Sequence, residues 1–159
     1  MILWIHVLAA IAWLGGMLYS LVVLFPLFRG TFPAREEIQI AYAAGRRHQF
    51  VAARAMEVLL LTGIWSIAAR GWGTGGGSSQ GFWAILGLKL LGFMLMAGLQ
   101  TWQRIWMNRK LAPLIIAGGG GLLGEQEWHA IQFRMTRVTW LNLAIGLVVV
   151  FLALMLRGR

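Results

Sequence analysis

Cysteine is absent from the 159 residues, so any metal or redox chemistry falls to three histidines, eight methionines and a few charged side chains set in apolar sequence. His48 and His129 lie at similar distances to one side of two separate apolar runs. Two neutral imidazoles facing each other from different helices are a common way to hold haem iron, the second ring nitrogen of each being fixed by another partner. Arg46, Arg47, Arg54, Arg134 and Arg137 lie close by in sequence, and guanidinium groups suit propionate carboxylates through paired hydrogen bonds. These residues predict a haem with His48 and His129 as axial ligands. The alternative is that both histidines are polar residues of the membrane interface.

A different chemistry belongs to the softer donors. Met17, Met56 and Met96, with Glu57, are expected near one level in the middle of the membrane, and thioethers prefer Cu(I). His6, near the outer end of the first apolar run, would receive the ion, and Met56 and Met96 would pass it inward. Methionine is also an ordinary filler of apolar packing, which needs no metal to explain it. Glu57 lies three residues after Arg54, a spacing that allows an ion pair on one helix. Lys89 sits inside the third run, where a charge must face the bundle interior or find a partner such as His6, a backbone carbonyl or an anion. A lysine snorkelling outward is the other possibility. Lys89, Phe93, Met96, Gln100, Gln103 and Met107 recur at helical spacing and form one polar and polarizable stripe.

The elements that must carry these residues are four apolar runs, at about 2–28, 51–69, 82–107 and 138–156, each able to cross a ~30 Å hydrocarbon layer. With 59% hydrophobic and 12% charged residues, the chain belongs in a bilayer. Backbone polar groups in lipid must be satisfied within each segment, which predicts helices. An unbroken apolar run over 143–156 speaks against the alternating strands of a β-barrel. The first run reads as a span rather than a signal peptide, because it has no basic leader, is too long and shows no small-residue cleavage pattern. The predicted fold is therefore all-α: one domain, 1–159, an integral membrane four-helix bundle.

The net charge of +9 does not indicate nucleic acid, since the basic residues are split among span ends and connections. Arginines gather around the first and third connections, which places those in the cytoplasm and both termini outside. Pro33 followed by Ala34-Arg35-Glu36-Glu37 reads as a helix start, with acids at its positive end. The glycine-rich stretch 117–124 reads as a break before a helix beginning near Glu125. The second and fourth helices should thus extend into the cytoplasm. The stretch 71–81, rich in glycine and serine, reads as a flexible outer loop.

The assembled residues resemble the copper-resistance protein D family of membrane proteins. The resemblance rests on Trp4-Ile5-His6-Val7-Leu8-Ala9-Ala10, Trp13-Leu14-Gly15-Gly16, Gly45-Arg46-Arg47, Leu61-Thr62-Gly63-Ile64, Leu88-Lys89-Leu90-Leu91 and Leu141-Asn142-Leu143. It runs through all four spans. At His6, Lys89 and the spacing of Arg137 and Asn142 the chain is also similar to the J-type membrane protoporphyrinogen oxidases, four-helix proteins thought to carry haem b. Where both groups often have a histidine late in the third span, this chain has Gln100, Trp102 and Gln103 followed by Arg104. The first family's link is to copper uptake or tolerance.

Three functions follow as expectations. The leading one is a membrane redox subunit that binds haem b and passes electrons within a larger complex of membrane proteins. The others are a copper-handling membrane protein and a cofactor-free structural subunit that docks through glycine-lined helix faces. No nucleophile–base pair or acid–base dyad is visible for a stand-alone enzyme. The expected location is the cytoplasmic (inner) membrane of a prokaryote, crossed several times, with lipid as the surrounding partner.

Overall fold

The computed structural model of the protein describes residues 1–28, 34–69, 80–116 and 125–157. The connections expected at 29–33 and 117–124, and the glycine- and serine-rich stretch up to residue 79, lie outside the described residues. Within them the chain is helical from Ile2 onward. Helix α1 is Ile2–Tyr19, followed without a break by a π turn, Ser20–Leu24, and by the short α2, Phe25–Phe28. Helix α3 is Ala34–Ala69, α4 is Gln80–Ile116 and α5 is Glu125–Arg157.

The π turn has a local cause. Pro26 has no N–H to give to the carbonyl four residues earlier, and its ring crowds that carbonyl. Widening the preceding turn relieves both, and Ser20 closes onto the Gly16 carbonyl with its hydroxyl at 2.9 Å. Helix α3 begins at Ala34 with Glu36 and Glu37 in its first turn, and α5 begins at Glu125, where the sequence placed both starts.

Helix α4 differs from expectation by running nine residues past Met107, to Ile116. The reason is visible in its packing: Met107 and Leu111 are buried together with Ile38 of α3 and Trp128 of α5. A stretch that reads as charged, Asn108-Arg109-Lys110, thus still keeps one apolar face.

Four segments are long and apolar enough to cross a membrane: Ile2–Leu27, Glu36–Ala69, Trp83–Pro113 and Gln126–Met155. Large apolar side chains such as Leu8, Ile11, Leu61, Leu91, Leu147 and Phe151 point outward, as lipid-facing residues must. The all-α, four-helix arrangement is consistent with a multi-pass membrane protein surrounded by a bilayer.

The helices form two pairs, α1 on α3 and α4 on α5, and the pairs then meet. Their main core is Ala9, Trp13, Met17 and Leu21 of the first segment with Ala52, Ala55, Leu59, Met96 and Leu143. Trp13 meets Phe93 edge to face across 5.7 Å. A second cluster, Ile38, Met107, Leu111 and Trp128, ties together α3, α4 and α5 toward the other end.

Candidate functional site

Polar side chains on an apolar helix gain by meeting one another, because lipid offers them nothing. On α4 they include Gln100 and Gln103, and on α5 Gln132, Thr139 and Asn142, spacings of three and seven that keep each set on one face. The two faces meet. Asn142 donates through Nδ2 to Gln100 Oε1 at 3.0 Å, and Gln103 Nε2 donates to Thr139 Oγ1 at 3.5 Å. The Thr139 hydroxyl in turn donates to the Met135 carbonyl at 2.9 Å. Gln132 donates to the carboxylate of Glu37, which is itself buried, on α3.

Gln100, Gln103, Gln132, Met135 and Thr139 border a cavity of about 60 Å³ between the helix pairs. At roughly 15 Å³ per water this is room for about four waters. His48 and Gln49 come from α3, Gln100, Gln103 and Met107 from α4, Trp128, Gln132, Met135 and Thr139 from α5, and Ser20, Leu24 and Phe25 from the π turn and its flanks. Among the described residues that line it there is no Asp, Glu, Lys or Arg, and His48 is the one titratable side chain. The Trp128 indole N–H, on its lining, and Asn142 Oδ1, beside Gln100, are buried with no partner within the described residues. Gln49 reaches Met107 with Nε2 3.9 Å from Sδ.

His48 packs over Gly16 of α1. A Cβ at residue 16 would lie 2.8 Å from the His48 Cε1 and 3.0 Å from its Nδ1, so glycine is what leaves space for the ring. Gly16 is close to the middle of the Ile2–Leu27 segment, which sets His48 at that same level. Gly45, one turn before His48, makes similar room for Met107, whose Sδ would be 3.4 Å from an added Cβ.

Of the residues expected to form a haem site, His48 borders this cavity and the others do not. His129 is exposed and does not line it; its neighbour Trp128 does. Arg46, Arg47, Arg54, Arg134 and Arg137 are all exposed. Arg134 lies against the rings of Trp102 and Trp106, 5.1 Å from each centroid, and Arg137 lies 4.3 Å from that of Phe133. Arg54 pairs with Glu57 at 2.7 Å, the ion pair their spacing allowed, on an outward face.

The methionines of the expected copper route fall in the main core. Met17 and Met96 are buried there and Met56 packs against it, with the Met96 methyl beside Gly146. Among the described residues no three His, Asp or Glu side chains are placed to hold a metal. The thioethers that share a cavity with a histidine are instead Met107 and Met135. Met107 belongs to the stripe read from the sequence; Gln132, Met135, Thr139 and Asn142 do not, although amides recurring at helical spacing in an apolar run were a usable signal.

At the other end of α1, His6 Nδ1 lies 2.6 Å from Thr62 Oγ1 on α3. The Thr62 hydroxyl has one proton and gives it to the Val58 carbonyl at 2.6 Å. A Thr62 hydroxyl that donates to this carbonyl pairs with the His6 tautomer protonated on Nδ1, the one that leaves Nε2 as an acceptor. Lys89 lies close enough to His6 to act on its charge.

Compared with protein family models, curated proteins and solved structures, the chain matches none.

Proposed function

We propose that the protein binds and handles copper(I) within the membrane, using the cavity around His48. The observation that carries this reading is that one imidazole and two thioethers, His48, Met107 and Met135, border a single uncharged cavity of about 60 Å³. Thioether and imidazole donors suit a soft monovalent ion, and the absence of acidic side chains from the described lining disfavours hard divalent cations. The volume suits an ion with a few waters. Gln49, held against Met107, and the Gln103–Thr139 pair orient the walls around it. The resemblance to the copper-resistance protein D family supports the same reading, and the arginine-rich flanks of the first and third connections support an orientation with this cavity nearer the cytoplasmic side than His6. His6 then serves as the outer entry for the ion, oriented by Thr62. The membrane is the cytoplasmic membrane of a prokaryote, with both termini outside.

The test is a titration of the detergent-purified protein against a colorimetric Cu(I) chelator, with elemental analysis. One copper per chain is expected, with affinity falling by about tenfold or more per donor in Met107→Leu and Met135→Leu. Met56→Leu and Met96→Leu should bind as the unaltered chain does. Equal binding by the Met107 and Met135 variants would overturn the assignment.

A second reading is favoured by the position of His48, an imidazole inside a four-helix bundle. In it the helices part to admit haem b, His48 is one axial ligand, and the protein is an electron-passing subunit of a larger membrane complex. A Soret band in the purified protein that disappears in His48→Ala would establish it in place of copper. Neither copper nor a Soret band would leave a structural subunit.

A further inference from the structure

Helix α3 carries an ion pair where lipid should be. Arg54 and Glu57 bond at 2.7 Å with side chains 66% and 57% exposed, on the outer face of the bundle. Glu57 is six residues into the apolar run that starts at Val51, about 9 Å along the helix axis. The α1 side gives the same depth: Arg54 borders a groove with Ile5, Leu8 and Ala9, well inside the Ile2–Leu27 segment. Charges at such depth almost always face protein or water. The Phe50 ring, 5.4 Å from the Arg54 guanidinium, is the one ring contact among the described residues, and it leaves both side chains more than half exposed.

The groove beside it has a volume of about 420 Å³. Its floor includes Ala9, Ala12 and Ala55, whose short side chains allow a helix to approach closely. We propose that a second copy of this chain fills this groove, giving a two-fold dimer in which Arg54 of each copy also meets Glu57 of the other.

The charges choose the occupant. The patch holds one cation and one anion, three residues apart on one helix, so it is complementary to itself. Two copies inserted in the same direction are related by an axis along the membrane normal. Their α3 helices then run parallel, and Arg54 and the opposing Glu57 differ in height by only about 4.5 Å, within reach of an arginine. Each guanidinium is then flanked by two carboxylates, and four charges leave the lipid at once. A foreign helix would have to supply both signs at the matching spacing, whereas symmetry provides them here. Two-fold dimers are also the commonest closed assembly. The proposal does not depend on copper or haem, because neither the groove nor the pair touches the His48 cavity.

The experiment reconstitutes the full chain in lipid nanodiscs and detergent and measures association by crosslinking and sedimentation. The unaltered chain should dimerise. Arg54→Glu, with two acids, and Glu57→Arg, with two cations, should each weaken self-association by roughly a hundredfold. Mixing the two variants should restore dimers containing one of each. That restoration separates lost pairing from lost folding, since a misfolded variant would not recover on mixing. Ala12→Trp, which fills the groove, should also give monomers. An unaltered chain that stays monomeric in both media would overturn the proposal, and so would Arg54→Glu dimerising as well as the unaltered chain.

Discussion

At the scale of single residues, the cavity depends on groups too small to notice in a hydropathy profile. Gly16 matters because the His48 ring occupies the space its side chain would take. In Gly16→Ala the new methyl, 2.8 Å from Cε1, must push the ring aside. The ring is the far end of a flexible side chain, so the fold should survive with a loss of about 1 kcal/mol or less. Copper affinity should fall by about tenfold as His48 leaves its place, and the chelator titration reads this directly. Asn142 offers a contrasting case. It is 1% exposed, donates to Gln100, and has an unpartnered Oδ1. Replacing it with leucine removes an interhelical hydrogen bond worth about 0.6 kcal/mol in membrane bundles, and also removes a buried acceptor with no partner. Thermal unfolding of Asn142→Leu in detergent should therefore shift little, while a fall of many degrees would mean that Oδ1 is held by a water or ligand in the folded protein.

At the scale of elements, the first helix is shaped by Pro26. The widened turn at Ser20–Leu24 is what lets Ser20, Leu24 and Phe25 all border the cavity. Supplying the missing N–H in Pro26→Ala should let this turn tighten toward an ordinary α-helix and rotate the residues after it by part of a turn. Amide hydrogen exchange at 22–27 should slow, and copper affinity should drop as the wall moves. Unchanged exchange would assign the π turn to packing instead of to proline. The start of α3 could be read in advance from Pro33 and the acids of its first turn. The full length of α4 could not, because Arg109 and Lys110 look like an ending unless it is known that Met107 and Leu111 are buried against Ile38 and Trp128.

At the scale of the whole molecule, the two helix pairs meet over few small residues. Gly146 of α5 is one: an added Cβ would collide with Leu14 of α1 and come within 2.9 Å of the Met96 methyl of α4. Gly146→Val should force the pairs apart at a cost of about 1–3 kcal/mol, seen as a lower midpoint of unfolding in denaturing detergent. Gly15, with nothing among the described residues within 4 Å of its added Cβ, should accept alanine without that effect and serves as the control.

What the amino-acid order determined by itself was the solvent and the elements: helices long and apolar enough for lipid, two of their starts, and the inward stripe of Met96, Gln100, Gln103 and Met107. What only the tertiary structure decided was rotation. His48 faces a cavity while His129 faces outward beside an inward Trp128, and the arginines expected to bind propionates lie exposed against aromatic rings or Glu57. The physical reason is that one residue turns a helix by about 100°, and a helix that is apolar on every side gives no amphipathic signal to choose the inward face. In such helices the choice is made by which polar groups, glycines and thioethers find each other across the bundle.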